Sequence, residues 1–289
     1  MVMKMSFNIN YKRIERISSI IRSLGLEFFK SIEIIDPQFN SLSRLCSFCN
    51  SKLVPLLAIV NALVSYALNC RGEKYWNEFC SHMALHCNSI NNIESAISSV
   101  IEFLQISQCN KLYKEAKVRR LKKLLLCKNI EIVLQKQCHE VLAGKLLQKT
   151  LAKCLGTEQE LKTIVFAVKM YYYGYKACLK TDLVLPMDIP IPVDRRVALI
   201  TCTANLIDAD CKDIKTVMKS SDIVRKIWSY IAELSGVPAL HLDSFIWIIG
   251  KHVNLRRDKP SIVTSILNEL RDFYCEDLEK LVKELIFKL

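Results

Sequence analysis

Apolar residues recur along this chain at intervals of three and four rather than two, which predicts an almost purely α-helical protein. Glycine and proline number only seven each, so few positions interrupt the helical period. Where they occur they punctuate it: Ser221-Asp222 is expected to open a helix over 223–234 that Gly236 stops. Pro238 precedes another over 239–249, and Ser261 opens a C-terminal helical stretch. The longest apolar run, 54–70, holds Pro55, Asn61, Ser65 and Asn69 and falls short of the roughly 20 residues that a bilayer requires. It reads as a buried helix. With no repeat, low-complexity segment or long linker, the chain reads as a single globular unit, 1–289; if there are two lobes, they share an interface.

Composition narrows the partners. At 289 residues and 51% hydrophobic side chains, the chain can bury a sizeable core. Its 41 basic and 29 acidic residues leave a net charge of +12, which favours a polyanion but does not separate nucleic acid from an anionic membrane. Residues 1–11 lack an apolar core followed by a small-residue cleavage site, so a cytoplasmic protein is expected. Thirteen cysteines, odd in number and irregularly spaced, are unlike a secreted disulfide scaffold and are expected to be mostly reduced and buried. Cys46 and Cys49 with Cys80, His82, His86 and Cys87 are zinc-type ligands, but the long irregular gap makes a poor zinc signature, and no metal is expected.

Candidate chemistry lies on helix faces. Over 157–173, Leu161, Ile164, Val165 and Val168 form an apolar stripe that should face a core. On a neighbouring face, Lys162, Phe166, Lys169 and Tyr173 align at i, i+4, i+7 and i+11, combining an amine, a flat aromatic and a second cation. Such a face could line a nucleotide pocket; solvated lysines beside packing aromatics would give the same pattern. A proline-studded turn, LPMDIPIPVD over 185–194, then leads to Asp194, placed to cap the helix that begins RRVALI. Capping keeps a carboxylate fixed and ionised, and capping alone is the commoner role for such an aspartate. Asp182 and Asp188 sit in the same turn with no helix to anchor them. Asp243 and Trp247 are four apart and share a face, where a carboxylate can accept a hydrogen bond while an indole stacks, although a Trp within FIWII is more often core. Finally, eight Lys or Arg residues over 111–128 alternate with apolar ones, suiting either contact with phosphates or a solvated helix face.

In this order the motifs resemble the archaeal 8-oxoguanine DNA glycosylase/AP lyase family, the archaeal GO glycosylases of the helix-hairpin-helix superfamily. KTIVFAVKM at 162–170 and PIPVD at 190–194 carry the resemblance, with Asp36-Pro-Gln38, Tyr75-Trp76 and LHLDSFIW at 240–247 extending it over most of the chain. It implies an all-α, helix-hairpin-helix glycosylase-like fold of two closely packed helical lobes with the active site between them. The helix-hairpin-helix-like element would lie at 160–200. Lys162 would match the family's nucleophile and Asp194 its catalytic aspartate. Phe166 and Trp247 would sandwich the extruded base, Gln38, Trp76 and Asp243 would read its edges, and Lys169 would stand near the site. Two departures are visible. The connection over 174–192 lacks the short Leu-Pro-Gly-Val-Gly turn of the wider superfamily, and Cys275 stands alone where some relatives carry a four-cysteine iron-sulfur loop, so no cluster and no cofactor is expected.

The implied chemistry starts with a flipped base. Attack at C1′ needs a neutral Lys162, which partial burial or a cation such as Lys169 would favour. The resulting Schiff base would allow β-elimination on the 3′ side. Damaged DNA is the expected partner, with no membrane and no obligate protein partner, and the protein is expected to be a monomer. A glycosylase of the same build for another lesion, or a non-catalytic basic helical DNA-binding protein, are the alternatives.

Overall fold

The computed structural model describes residues 7–181 and 183–289, and these residues form helices joined by turns. No β-strand forms among them; a single isolated antiparallel bridge links Ile9 and Ile207. The chain makes two compact units, one from the residues up to Ile34 with Met187–Leu289, the other from Ile35–Pro186. The first opens with α1 (Tyr11–Ile32). The second holds α2 (Pro37–Leu45), α3 (Leu53–Ala62), α4 (Gly72–His86), α5 (Ile93–Ile106), α6 (Lys114–Leu125), α7 (Lys128–Leu134), α8 (Cys138–Leu142), α9 (Leu146–Leu155) and α10 (Lys162–Leu179). The first unit then resumes with α11 (Arg195–Thr203), α12 (Ile214–Lys219), α13 (Ser221–Ser235), α14 (Ala239–Gly250), α15 (Lys259–Glu269) and α16 (Glu276–Leu285).

In the first unit α1 packs on α13, α14 and α16. Trp228 of α13 is buried and donates from Nε1 to Thr201 Oγ1 of α11 at 2.8 Å. Gly236 ends α13 at φ +76, a left-handed conformation that glycine adopts at no steric cost, as its place in the sequence implies. α15 begins two residues before Ser261, because Asp258 is the cap and accepts the Ser261 amide at 2.8 Å.

The second unit is built on α3, whose sequence LVPLLAIVNA is buried along most of its length. α10 crosses it so closely that a Cβ on Gly174 would lie 2.7 Å from Pro55 Cα, so only glycine fits there. The apolar run does not stay helical to Cys70: the backbone turns after Ala62, and Ala67 adopts φ +47. The basic stretch over 111–128 likewise divides between α6 and the start of α7, with Lys117 wholly buried.

Most cysteines are not free thiols, contrary to expectation. Cys46 pairs with Cys178, Cys49 with Cys87, Cys70 with Cys109 and Cys127 with Cys154 in the second unit, and Cys202 with Cys211 in the first. Cys80 and Cys138 are buried thiols, and Cys275 is half-buried. The pairing takes Cys46, Cys49 and Cys87 out of the zinc-type set, and among the described residues no three metal-ligating side chains converge. No helix among them is long and apolar enough to cross a membrane.

Candidate active site

α10 starts at Lys162 rather than near 157, because Gly156 ends α9 at φ +63 and a turn intervenes. Leu161 is therefore the N-cap and is 39% exposed, while Ile164, Val165 and Val168 of the expected stripe are buried. The neighbouring face runs from solvent to core. Lys162 is exposed in the first turn, Phe166 is half-buried one turn on, and Lys169 and Tyr173 are buried below them. Phe166 meets Trp76 of α4 edge-on, with ring centroids 6.0 Å apart and planes at 78°. Lys169 is not a bare cation: Asp36 Oδ2 lies 3.6 Å from its Nζ and accepts the Tyr173 hydroxyl at 2.9 Å.

Asp36 also fixes Gln38. As N-cap of α2 it accepts the Gln38 amide at 2.9 Å through Oδ1, and Pro37 follows it at the first helical position, where a missing N–H costs nothing. The Gln38 side chain is buried, and among the described residues its own amide group makes no hydrogen bond. One buried carboxylate thus holds α2 and α10 together, with Gln38, Lys169 and Tyr173 in fixed relation.

In the first unit Asp194 caps α11, its Oδ1 accepting the Val197 amide at 2.9 Å. It is half-buried, with its second oxygen unspent among the described residues. Two residues later Arg196 lays its guanidinium over the Trp247 indole, 3.9 Å from the ring centroid, and donates from Nη1 to Trp247 O at 2.9 Å. α14 supplies the room: a Cβ on Gly250 would stand 2.8 Å from Arg196 Cβ. Asp243, one turn before Trp247, is buried in the same helix. His241, on another side of α14, has Nδ1 2.6 Å from Glu33 Oε1, and both side chains are buried.

The structure therefore groups Gln38, Trp76, Lys162, Phe166 and Lys169 in one unit and Asp194, Asp243 and Trp247 in the other. Asp182 lies outside the described residues, and Asp188 is exposed in a turn. Three residues at these places carried no role in the sequence reading. Asp36 offered a signal, since an Asp-Pro pair before an apolar period marks a helix start. Arg196 offered none, because its contact depends on tertiary packing; spacing placed Tyr173 on the face of Lys162, but its bond to Asp36 depends on packing too.

Comparison with known proteins gives the family. The AGOG family model, described as N-glycosylase/DNA lyase, matches residues 18–287. The N-glycosylase/DNA lyase of Pyrobaculum aerophilum is 31% identical over 242 residues, covering 83% of this chain and 87% of that protein. The one from Aeropyrum pernix is 29% identical over 254 residues, with 85% of each covered. A crystal structure of the 8-oxoguanine DNA glycosylase from Pyrobaculum aerophilum complexed with 8-oxoguanosine matches with a TM-score of 0.74 at 27% identity, over 95% of this chain and 97% of that one. The all-α expectation holds, and the chain belongs to the AGOG family of N-glycosylase/DNA lyases, enzymes of base-excision repair.

Proposed function

We propose that this protein removes 8-oxoguanine from damaged DNA and then cuts the strand, with Lys162 as the nucleophile. The observation that carries the reading is the graded face of α10: an exposed amine at the first helical position, an aromatic pair one turn below, and Gln38 on the helix packed beside it. The likeness to a glycosylase complexed with 8-oxoguanosine supports the choice of base.

The target nucleotide is flipped from the duplex at a cost of roughly a few kcal/mol, offset by stacking against Phe166 and Trp247 and by hydrogen bonds to the base edge. 8-Oxoguanine differs from guanine by a hydrogen on N7 and an oxygen on C8. Gln38, accepting the N7 hydrogen through its side-chain carbonyl, discriminates between them, with Trp76, Lys169 and Asp243 completing the edge contacts. The Lys162 amine forms a bond to C1′ as the C1′–N9 bond breaks and the base leaves with the bonding pair. Asp194, held in place as the cap of α11, stabilises the positive charge that develops on the sugar. Loss of the amine protons and ring opening give a Schiff base, from which removal of a C2′ proton expels the 3′ phosphate. The chemistry needs no cofactor, and the protein acts as a monomer.

The test is borohydride trapping on a labelled duplex with one 8-oxoguanine opposite cytosine, beside an undamaged duplex and the Lys162→Gln protein. The expected result is a covalent adduct only with lesion and unaltered protein, while Lys162→Gln still binds DNA. Trapping on a different lesion alone would overturn the substrate. An undiminished adduct with Lys162→Gln would overturn the nucleophile.

A further inference from the structure

The connection that delivers Lys162, residues 156–161, is pinned at three points. Lys123 Nζ of α6 donates to Leu155 O at the end of α9 at 2.8 Å, and the buried Gln148 donates from Nε2 to Gln159 O at 2.9 Å. Arg120 of α6 donates from Nη2 to Thr163 Oγ1, in the first turn of α10, at 2.9 Å. Gly156 is shaped by the same clasp, since a Cβ there would lie 2.9 Å from Lys123 Nζ.

Two of the three pins are cations that spend their bonds on neutral acceptors. Among the described residues neither Arg120 nor Lys123 has a carboxylate within ion-pair distance; Glu158 and Glu160, on the connection itself, are exposed and paired with neither. Arg120 Nε is buried without an acceptor, and burial pushes the guanidinium below its usual pKa range. An unneutralised, partly desolvated cation is expensive to keep. A neutral glutamine could donate equally well to a hydroxyl or a carbonyl, so these bonds do not account for the charge. Positions 120 and 123 fall on one flank of α6, the flank that touches the start of α10.

Resting on the reading above, in which the substrate is a polyanion attacked by Lys162, we infer that Arg120 and Lys123 form a phosphate-binding surface. It grips the backbone of the strand carrying the target nucleotide beside the nucleophile. Apart from the buried Nε–H, Arg120 keeps three further N–H donors and Lys123 two, enough to hold phosphate oxygens without releasing the clasp. This surface gives a sequence-independent grip next to the reacting sugar.

The experiment measures duplex affinity against salt by fluorescence anisotropy in the Lys162→Gln background, on lesion-bearing and undamaged DNA, adding Arg120→Gln, Lys123→Gln, both together, or Thr163→Val. For each cation removed, the slope of log affinity on log salt should fall by about 1, with equal weakening on both duplexes. Thr163→Val, which deletes the internal bond and keeps the charge, should leave the slope unchanged. An unaltered slope in a folded double variant would overturn the inference, as would a Thr163→Val protein that reproduces the loss. Should Arg120→Gln fail to fold, Lys123→Gln and the charge-keeping Arg120→Lys decide the matter: a slope lowered by the first and kept by the second supports the surface, and any other pair of results overturns it. Failure of the 8-oxoguanine reading would appear separately, as no borohydride adduct from the protein with Lys162 intact, and the slope on undamaged DNA would still decide the surface.

Discussion

The two units secure themselves by different means. Ile35–Pro186 carries four disulfides whose partners are 27 to 132 residues apart, whereas the other unit has one, Cys202–Cys211, nine residues apart. Both units bury charge, Asp36 beside Lys169 in the second, but the first leans on it without long covalent ties: Arg13 bonds the Glu284 side chain and the Ala204 carbonyl, and Glu33 holds His241 in the core. A disulfide acts chiefly by restricting the unfolded chain, and a buried charge pair acts only while its geometry is kept. The unit that carries Lys162 and the clasp around it is thus the covalently fixed one, and the unit with Asp194 rests on reversible contacts.

Reduction should break this contrast most severely. In the chain-entropy picture, losing the Cys46–Cys178 tie costs roughly 5 kcal/mol and losing the nine-residue tie roughly 2.5 kcal/mol. Under reductant, limited proteolysis read by mass spectrometry should therefore cut first within 35–186. Equal cutting in both units would remove the distinction. Next in size, Glu33→Ala and Asp36→Ala each strip a buried partner, a change typically worth about 3–5 kcal/mol. The melting temperature should fall further for Glu33→Ala, because α2 and α10 stay joined by Cys46–Cys178 when Asp36 is lost. The reverse order would show that the staple shares no load with the carboxylate.

Asp194→Asn sharpens the contrast on the chemical side. Asparagine still caps, so the stability change should stay within about 0.5 kcal/mol, while single-turnover base release slows by at least roughly tenfold. Normal base release would remove Asp194 from the mechanism.

A pH-dependent effect concerns Lys117, buried in the stapled unit, where it donates to Asn110 and sits over the Tyr66 ring, 4.8 Å from its centroid. Burial pushes its pKa down to about 8 from an unfolded value near 10.5. The folded state thus binds this proton more weakly than the unfolded one, so the contribution to stability is complete above the unfolded pKa and is lost as pH falls through the window to about 8. Lys117→Met should gain in melting temperature relative to the unaltered protein as pH drops from 10 to 8. A constant difference across that range would mean the ammonium is accommodated.

What the sequence made legible was local. Gly236, Pro238 and the Asp194 cap act within one helical turn, and their effects were where the residues stood. The face from Lys162 to Tyr173 was legible for the same reason, since helical spacing alone sets it. The start of α10 was not, because Gly156 and the clasp from α6 override a pattern that could have run helical from 157. Nor were the disulfides, the Asp36–Tyr173 bond between residues 137 apart, or the Arg196 cover on Trp247. Each joins segments whose proximity exists only after folding, and no short spacing encodes it.

The close crossing of α3 and α10 at Gly174 has a mechanical consequence. Lys162 stands twelve residues before Gly174, about 18 Å along the helix axis. The contact with Pro55 is therefore a pivot, and the N-terminal part of α10 is its lever arm. A methyl group at position 174 that tilted the helix by only about three degrees would swing the far end by roughly 1 Å, a misplacement that can cost about a hundredfold in rate. A glycine far from the chemistry thereby sets the aim of the amine.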